Sequence, residues 1–304
     1  MRTLYPGDFA YDEVARLDPH RTGSAWGEIV PGTLVTIAPD VRRLTAPNPG
    51  MMTGPGTNTY LIGDRTTGIA VIDPGPPLDE HLGRILEAGE GAIRWILYTH
   101  THSDHSPGAR LLRERTGARI YGIPAPEHGN QDRSSAPDHV VHDGERLSLA
   151  GVTLRVLHTP GHASNQCCYL LEAHKLLFTG DHLMQGSTVV INPPDGEMHT
   201  YFRQLERLYD EDLACLAPGH GFLLGQPYDA VLRVLRHRLQ RENKVVKALT
   251  ALGPATEATL LPAVYNDTPE KLHGMAARSL LAHLIKLERD GRARQQGGVW
   301  SMIS

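Results

Sequence analysis

The segment THTHSDHSPG, residues 99–108, places three histidines and one aspartate within six positions: His100, His102, Asp104 and His105. Neutral imidazole and carboxylate groups are good ligands for zinc and similar divalent ions. A fold rarely needs four such groups together for packing, so this spacing favours a metal site over a histidine-rich surface loop. The rest of the chain must then supply the other ligands.

Five apolar runs end directly at a histidine or a carboxylate. The runs are IAVID, WILYTH, LRVLHTPGH, LLFTGD and CLAPGH, which end at Asp73, His100, His162, Asp181 and His220. Strand ends and the loops beyond them present side chains to a shared cleft, so we expect these groups to converge. Apart from Asp73, the convergent set predicts seven ligands, which are enough for two metal ions: His100, His102, Asp104, His105, His162, Asp181 and His220.

The elements that must position these ligands alternate through the first two thirds of the chain. Short apolar runs between turn signals predict strands, and amphipathic patterns predict helices around residues 81–88, 107–116 and 199–209. In the third helix, Phe202, Leu205 and Tyr209 are expected on one face. The pattern predicts a mixed α/β sandwich over residues 1–225.

From about residue 226 the pattern changes to longer helices. Residues 228–250 predict an amphipathic helix with Val231, Leu235, Leu239 and Val246 on its apolar side. A second helical stretch at 269–289 and a hairpin around the glycines at 297 and 298 follow. Helices followed by a terminal hairpin predict a winged-helix domain over residues 226–304.

Composition narrows the class of protein. The 304 residues carry a net charge of -4, so no global field favours nucleic acid or an anionic membrane. The opening MRTLYPGDFAYDEV lacks the basic start and apolar run of a secretory signal, and no later stretch reaches membrane-spanning length. The three cysteines lack CxxC spacing and cannot form a disulfide framework. We therefore expect a cytosolic protein with reduced cysteines and no membrane partner.

The ordered ligand set, in its TPGH, GD and PGHG contexts, resembles the metallo-β-lactamase superfamily over residues 30–225. The resemblance implies an αββα sandwich with two divalent metal ions at one edge of the sheets; we expect zinc, with manganese or iron as alternatives. It assigns His100, His102 and His162 to the first metal, Asp104, His105 and His220 to the second, and Asp181 to a bridging position. Asp104 and Asp181 would thus be catalytic, because two ions lower the pKa of a bridging water and supply hydroxide at neutral pH.

Three further features have two interpretations each. In the family pattern, Asp73 is a hydrogen-bond partner of a ligand imidazole, but it would also suit a turn before the Pro-Gly at 74 and 75. Residues 50–56 form either a flap over the metals or a plain surface loop. Ser187 and Thr188 either hydrogen-bond a substrate oxyanion or cap a turn. His182 and His199 match no ligand position and are interpreted as ordinary polar residues.

Several branches of the superfamily are disfavoured. Redox di-iron members have Glu where His102 stands, and the spacing of 39 positions between Asp181 and His220 (220 minus 181) leaves no room for the cap of nucleases that process messenger RNA. Secreted antibiotic-degrading members usually carry a signal peptide, and thioesterases of the glyoxalase II kind lack a winged helix. The stretches TAPNPG, GPGTNTYLIG, GSTVVI and HRLQRE resemble a branch that adds a C-terminal winged helix and includes an endoribonuclease of animals. This chain departs from the branch at Pro107, where Gly is usual, although Pro suits a first helical turn.

Three functions remain open. The first is hydrolysis of a small ester, thioester or lactone, which requires only the metal set. The second is an endoribonuclease that holds single-stranded RNA through basic residues of the long helix: Arg233, Arg236, Arg238, Arg241, Lys244 and Lys247. The third, a non-catalytic regulator that binds nucleic acid, is disfavoured because seven ligands leave positions for water. The net negative charge favours a small-molecule hydrolase whose winged helix is a lid or a dimer contact; the oligomeric state stays open.

Overall fold

The computed structural model describes residues 29–129, 131–186 and 188–303. Contacts within this part of the chain define two units. The first comprises residues up to 159 together with 165–189 and 211–230, and the second comprises 160–164, 190–210 and the residues from 231 onward. The domain boundary predicted between residues 225 and 226 stays a prediction.

The first unit contains a 7-stranded sheet with the order β1-β2-β3-β4-β5-β6-β7. Its strands are β1 (Leu34–Ala38), β2 (Val41–Thr45), β3 (Asn58–Asp64), β4 (Gly68–Ile72), β5 (Ile93–Leu97), β6 (Arg119–Gly122) and β7 (His139–Val140). Strands β1 to β4 are antiparallel, and β4 to β7 are parallel. Parallel neighbours need crossover connections, and α1 (Asp79–Ala88) connects β4 to β5 while α2 (Pro107–Thr116) connects β5 to β6.

A 5-stranded sheet with the order β12-β11-β10-β9-β8 packs against the first sheet. Its strands are β8 (Arg146–Leu149), β9 (Val152–His158), β10 (Cys167–Leu171), β11 (Leu176–Gly180) and β12 (Cys215–Pro218). β4 shows why both faces are apolar: Ala70 and Ile72 face the core between the sheets, whereas Ile69 and Val71 pack toward the helices. The predicted mixed α/β sandwich is confirmed.

The second unit is mostly helical. It contains α3 (Met198–Arg207), most of α4 (Pro227–Leu252), α5 (Glu257–Val264) and α6 (His273–Arg289), and it ends in the hairpin of β13 (Ala293–Gln296) and β14 (Val299–Met302). Gly297 and Gly298 take φ of 58° and 80° in the hairpin turn, a conformation that glycine adopts at least cost. Leu260, Leu284 and Trp300 lie in a core that joins the last helices to the hairpin, as in the predicted winged helix. None of the helices in the described ranges is long and apolar enough to cross a membrane.

Two predicted helix faces are partly wrong. Tyr209 lies beyond the end of α3, in a short 3-10 helix, and is 39% exposed. On α4, Leu239 is 47% exposed, and the buried face is carried instead by residues such as Val234, Arg238 and Val245. Val231 is buried and Val246 packs against the core as predicted, but a buried arginine takes the place in the buried face that the pattern gives to Leu239.

Phe178 tests the packing between the sheets, because its buried ring lies 5.0 Å from that of Tyr60, centroid to centroid. We expect Phe178→Ala to lower the free energy of unfolding by about 3–5 kcal/mol through lost burial and an unfilled cavity. Urea denaturation of chelator-treated protein would measure the change without a contribution from bound metal. Leu34→Ala, at an exposed position, is the control and should change stability by no more than about 0.5 kcal/mol.

Candidate metal centre

Three groups of histidine and aspartate side chains place their ligand atoms within 4.8 Å of one another. The groups are His100, His102 and His162; His100, His105 and Asp181; and Asp104, His105 and His220. Every one of the seven predicted ligands belongs to at least one group. Imidazole nitrogens and carboxylate oxygens at this spacing are a suitable donor set for divalent cations.

The central motif forms a tight turn between β5 and α2. The carbonyl oxygen of His102 accepts hydrogen bonds from the backbone N–H groups of His105 at 3.0 Å and Ser106 at 3.3 Å. The turn leaves Nε2 of His100 only 2.9 Å from Nδ1 of His102. Pro107 occupies the beginning of α2, where its missing N–H costs no helical hydrogen bond.

Two parallel strands of the second sheet carry Asp181 and His220 side by side. In the register of β11 and β12, Gly180 lies opposite Pro218, so the residues that follow the strands are neighbours. Nε2 of His220 lies 3.3 Å from Oδ1 of Asp181 and 3.3 Å from Oδ2 of Asp104. The close approach of these side chains explains why glycine occupies position 219, the first glycine of the PGHG motif.

At Gly219, a Cβ atom would lie 2.7 Å from Cε1 of His105 and 2.8 Å from Oδ1 of Asp181. Any side chain there would displace two predicted ligands. The loop is also held from the first sheet: Asn58 Nδ2 donates to the carbonyl oxygens of Pro218 and Gly221, at 3.0 and 2.8 Å.

His105 shows most directly that the centre fits a cation. Its fully buried ring donates from Nδ1 to Oδ2 of Asp73 at 2.9 Å. The other ring nitrogen, Nε2, makes no hydrogen bond, although it lies 3.4 Å from Oδ1 of Asp181 and 3.5 Å from Oδ2 of Asp104. A neutral ring would therefore point a lone pair at carboxylate oxygens, an arrangement that a cation between them would stabilise.

The charges of the centre shift the pKa values of its imidazoles and carboxyl groups in opposite directions. Burial alone would lower the pKa of His105, but the carboxylates of Asp104, Asp181 and Asp73 raise it well above the usual value. Burial opposes charging of His220 too, yet Asp181 and Asp104 raise its pKa to about 9. Burial would raise the pKa of Asp104, whereas the two imidazoles lower it to about 2. The centre thus stabilises positive charge, and metal binding would release protons.

Asp73 makes the contacts expected of a residue that orients a ligand. Its carboxylate accepts hydrogen bonds from the N–H of Thr99 at 2.7 Å and the hydroxyl of Thr99 at 2.8 Å, in addition to that from His105. It is buried, with a φ of 49° that is uncommon for a residue other than glycine. A turn-forming aspartate would not need these three partners, so the contacts favour the orienting role.

The remaining sequence features lie outside the three groups. His182 is buried beside Asp181, and His199 pairs with Asp290 at 2.9 Å. Ser187 lies outside the described residues, and an oxyanion contact of Thr188 stays a prediction. The loop at 50–56 closes on itself through backbone hydrogen bonds between Gly50 and Gly54, and at its end the carbonyl of Gly56 accepts from Nδ1 of His220 at 3.2 Å.

Sequence reasoning missed several groups that hold the predicted ligands. The carbonyls of Gly56 and Val190, which accept from His220 and His162, leave no signal in side-chain types. The sequence carries a weak signal for Asn58, because an asparagine at the start of an apolar strand is unusual. Thr99, next to His100, could have been found from its position at the strand end.

Comparisons with known proteins agree with the geometry. Residues 52–220 match the model of the metallo-beta-lactamase superfamily, and residues 256–300 match that of the beta-lactamase associated winged helix domain. A beta-lactamase-like protein 2 homolog of Drosophila melanogaster is 30% identical over 86% of this chain and 94% of its own. An atrochrysone carboxyl ACP thioesterase of Aspergillus chevalieri is 31% identical over 88% of each chain. A beta-lactamase domain protein from Burkholderia ambifaria has a similar fold, with a TM-score of 0.74 at 20% identity over 91% of this chain and 96% of its own.

Asp73→Asn tests the orienting role. The amide loses the charge that holds the His105 N–H, so metal affinity should fall by about 10–100 fold while the fold is retained. Competition with a coloured chelator would measure the affinity, and circular dichroism would check the fold. Asp79→Asn, at an exposed aspartate on α1, is the matched control. Wild-type affinity in Asp73→Asn would leave only the turn-forming role.

Proposed function

The chain belongs to the metallo-β-lactamase superfamily, and on that premise we propose that it is a hydrolase that uses two metal ions to cleave a small ester, thioester or lactone. The observation that carries the proposal is the buried set of facing ligand atoms around His105, which suits cations and little else. The named thioesterase relative supports a thioester among these substrates.

The predicted division of ligands is part of this proposal. His100, His102 and His162 would hold one ion, Asp104, His105 and His220 the other, and Asp181 would contact both. Two divalent ions held in this way would supply hydroxide at neutral pH and polarise the carbonyl oxygen of the substrate. We expect zinc, with manganese and iron as alternatives.

The protein's own groups prepare the centre for this chemistry. Asp73 and the carbonyl of Val190 accept the Nδ1 protons of His105 and His162, which leaves the Nε2 atom of each ring available as a ligand. Asp104 and Asp181 keep their negative charge, because the neighbouring imidazoles hold both pKa values down although burial opposes it. The buried anionic charge would partly neutralise two dications and keep them close together.

The environment of α4 weakens the ribonuclease alternative. Arg238 is only 3% exposed. Arg241 pairs with Asp267 at 2.8 Å and stacks on the ring of Tyr265 at 4.3 Å, and Lys244 pairs with the same aspartate at 2.8 Å. These cations are engaged within the protein, which leaves fewer to bind phosphates than the sequence suggested. A substitution of Arg238 would therefore test the packing of the protein rather than RNA binding. The non-catalytic regulator is disfavoured for the same reason.

We expect wild-type protein, purified without chelator and supplied with metal, to contain two equivalents of metal by elemental analysis. His102→Ala should abolish hydrolysis of the best ester, thioester or lactone in a substrate panel, because one ligand is lost while the sheets remain intact. Asp181→Asn should be at least as harmful, since a neutral amide compensates two dications poorly. His128→Ala, at an exposed histidine, is the control. Wild-type turnover in either ligand variant would contradict the assignment, as would one equivalent or less of metal after supplementation.

The salt dependence of RNA binding separates the two enzymatic hypotheses. A ribonuclease that holds phosphates with α4 should lose RNA affinity steeply as salt rises, and reversal of exposed charges should reduce that slope. We expect neither effect in wild-type protein or in the Arg236→Glu Lys247→Glu variant, which alters two exposed positions of α4. Fluorescence anisotropy with single-stranded RNA at several salt concentrations provides the measurement. A steep slope that the variant abolishes, with RNA cleavage that His102→Ala abolishes, would favour the ribonuclease.

A further inference from the structure

The loop that carries His162, residues 160–164, is held by the segment before α3. Nδ1 of His162 donates to the carbonyl of Val190 at 2.7 Å, and the N–H of Glu197 donates to the carbonyl of Gly161 at 2.8 Å. The N–H of Ser164 donates to Oδ1 of Asp195 at 3.2 Å. The orientation of the His162 ring therefore depends on the position of the residues that directly precede α3.

The first turn of α3 also packs directly on the loop. Gly161 has a φ of +141°, and a Cβ there would lie 2.5 Å from the Cα and Cβ of Tyr201. No side chain fits between the two backbones, so a displacement of Tyr201 would be transmitted to the residue beside His162.

Two arginines from the C-terminal helices fix this first turn. Arg238 of α4 lies over the buried ring of Tyr201, with its Cζ 5.6 Å from the ring centroid. Arg289 at the end of α6 pairs with Oε2 of Glu197 at 2.7 Å. Glu197 is also the N-cap of α3, because its carboxylate accepts from the backbone N–H groups of His199 and Thr200. One arginine thus fixes the helix on its buried side, and the other fixes its cap.

A second polar contact connects the end of α6 to the same turn. His199 lies 2.9 Å from Asp290, which also pairs with Lys286 at 2.7 Å. Lys286 lies 5.0 Å above the ring of Phe202 and 2.9 Å from the buried carboxylate of Glu242. Buried and half-buried charges with fixed partners are costly to move, so α3 has one favoured position relative to α6.

We propose that Arg238 and Arg289 are positioning residues for His162, and that the C-terminal helices thereby set the affinity of the first metal ion. The inference rests on the proposed function, because it takes His162 as a metal ligand. It gives these helices a role inside the metal centre rather than in contacts with RNA. The group of Asp104, His105 and His220 has no ligand in this loop, so the second ion should be independent of the two arginines.

The test is metal affinity resolved by site. Arg238→Met retains an unbranched side chain but loses the cation above Tyr201; its matched control is Arg236→Met, at an exposed position of the same helix. We expect one of the two zinc equivalents to bind about 10-fold more weakly in Arg238→Met while the other is unchanged, as for other groups that orient ligands. Chelator competition measures both equivalents. Hydrogen exchange of the metal-free protein should also be faster at residues 161–164.

A second variant guards against simple unfolding of the first. Arg289→Met Asp290→Asn removes the Arg289–Glu197 ion pair and the carboxylate that contacts His199, without altering a buried apolar side chain, with Arg278→Met as its control. It should weaken the same equivalent, and by less, because an exposed ion pair is worth less than a buried contact. If Arg238→Met does not fold, the zinc affinities of this double variant alone test the proposal.

The outcomes separate this inference from the proposed function. Two unchanged equivalents in the folded variants would overturn the inference while leaving the function intact. Equal weakening of both equivalents would also overturn it, because that result indicates general loss of stability. A wild-type protein that binds no zinc, manganese or iron would overturn the function and the inference together.

Discussion

The buried hydrogen bond from His105 to Asp73 is the interaction on which the rest of the centre depends. It fixes the ring so that Nε2 faces the carboxylates of Asp104 and Asp181 without a hydrogen bond. Acceptor atoms forced together in a buried place are unfavourable unless a positive charge lies between them. The fold can maintain the arrangement because Asp73 is itself held by Thr99, at the end of the neighbouring strand β5.

The backbone at two glycines of the second sheet approaches neighbouring side chains closely, and this lets the two sheets bring their predicted ligands to one place. At Gly180, a Cβ would lie 2.3 Å from the hydroxyl oxygen of Thr99, and at Gly219 it would contact His105 and Asp181. The N–H of Cys167 donates to the carbonyl of Thr99 at 2.7 Å, so the sheets are also joined by a backbone hydrogen bond. The glycines of the GD and PGHG motifs therefore serve the geometry of the centre as much as the histidines do.

The C-terminal helices use many of their basic residues internally. Arg238 stacks on Tyr201, Arg241 and Lys244 pair with Asp267, and Arg292 pairs with the buried Glu242 at 2.7 Å. Part of the charge that appears in the sequence as an interaction surface is thus used in the internal packing of this unit. Its proposed effect on the metal centre passes through the contacts of α3 with residues 160–164 rather than through a nucleic-acid partner.

The sequence by itself predicted seven ligands whose side chains the structure brings together, and it determined the alternation of strands and helices and the helices and terminal hairpin that follow. These features depend on local spacing: ligands at strand ends, apolar periodicity, and turn residues such as Gly297 and Gly298. Strands β1, β2, β7 and β8 were not predicted, because short or weakly alternating runs resemble loops when their partners are unknown. Only the tertiary structure decided that Arg238 is buried, that Leu239 is exposed, and that the carbonyls of Gly56 and Val190 hold the rings of two predicted ligands. The physical reason is that burial and backbone hydrogen bonding depend on which distant segment lies alongside, and residue types do not encode that neighbour locally.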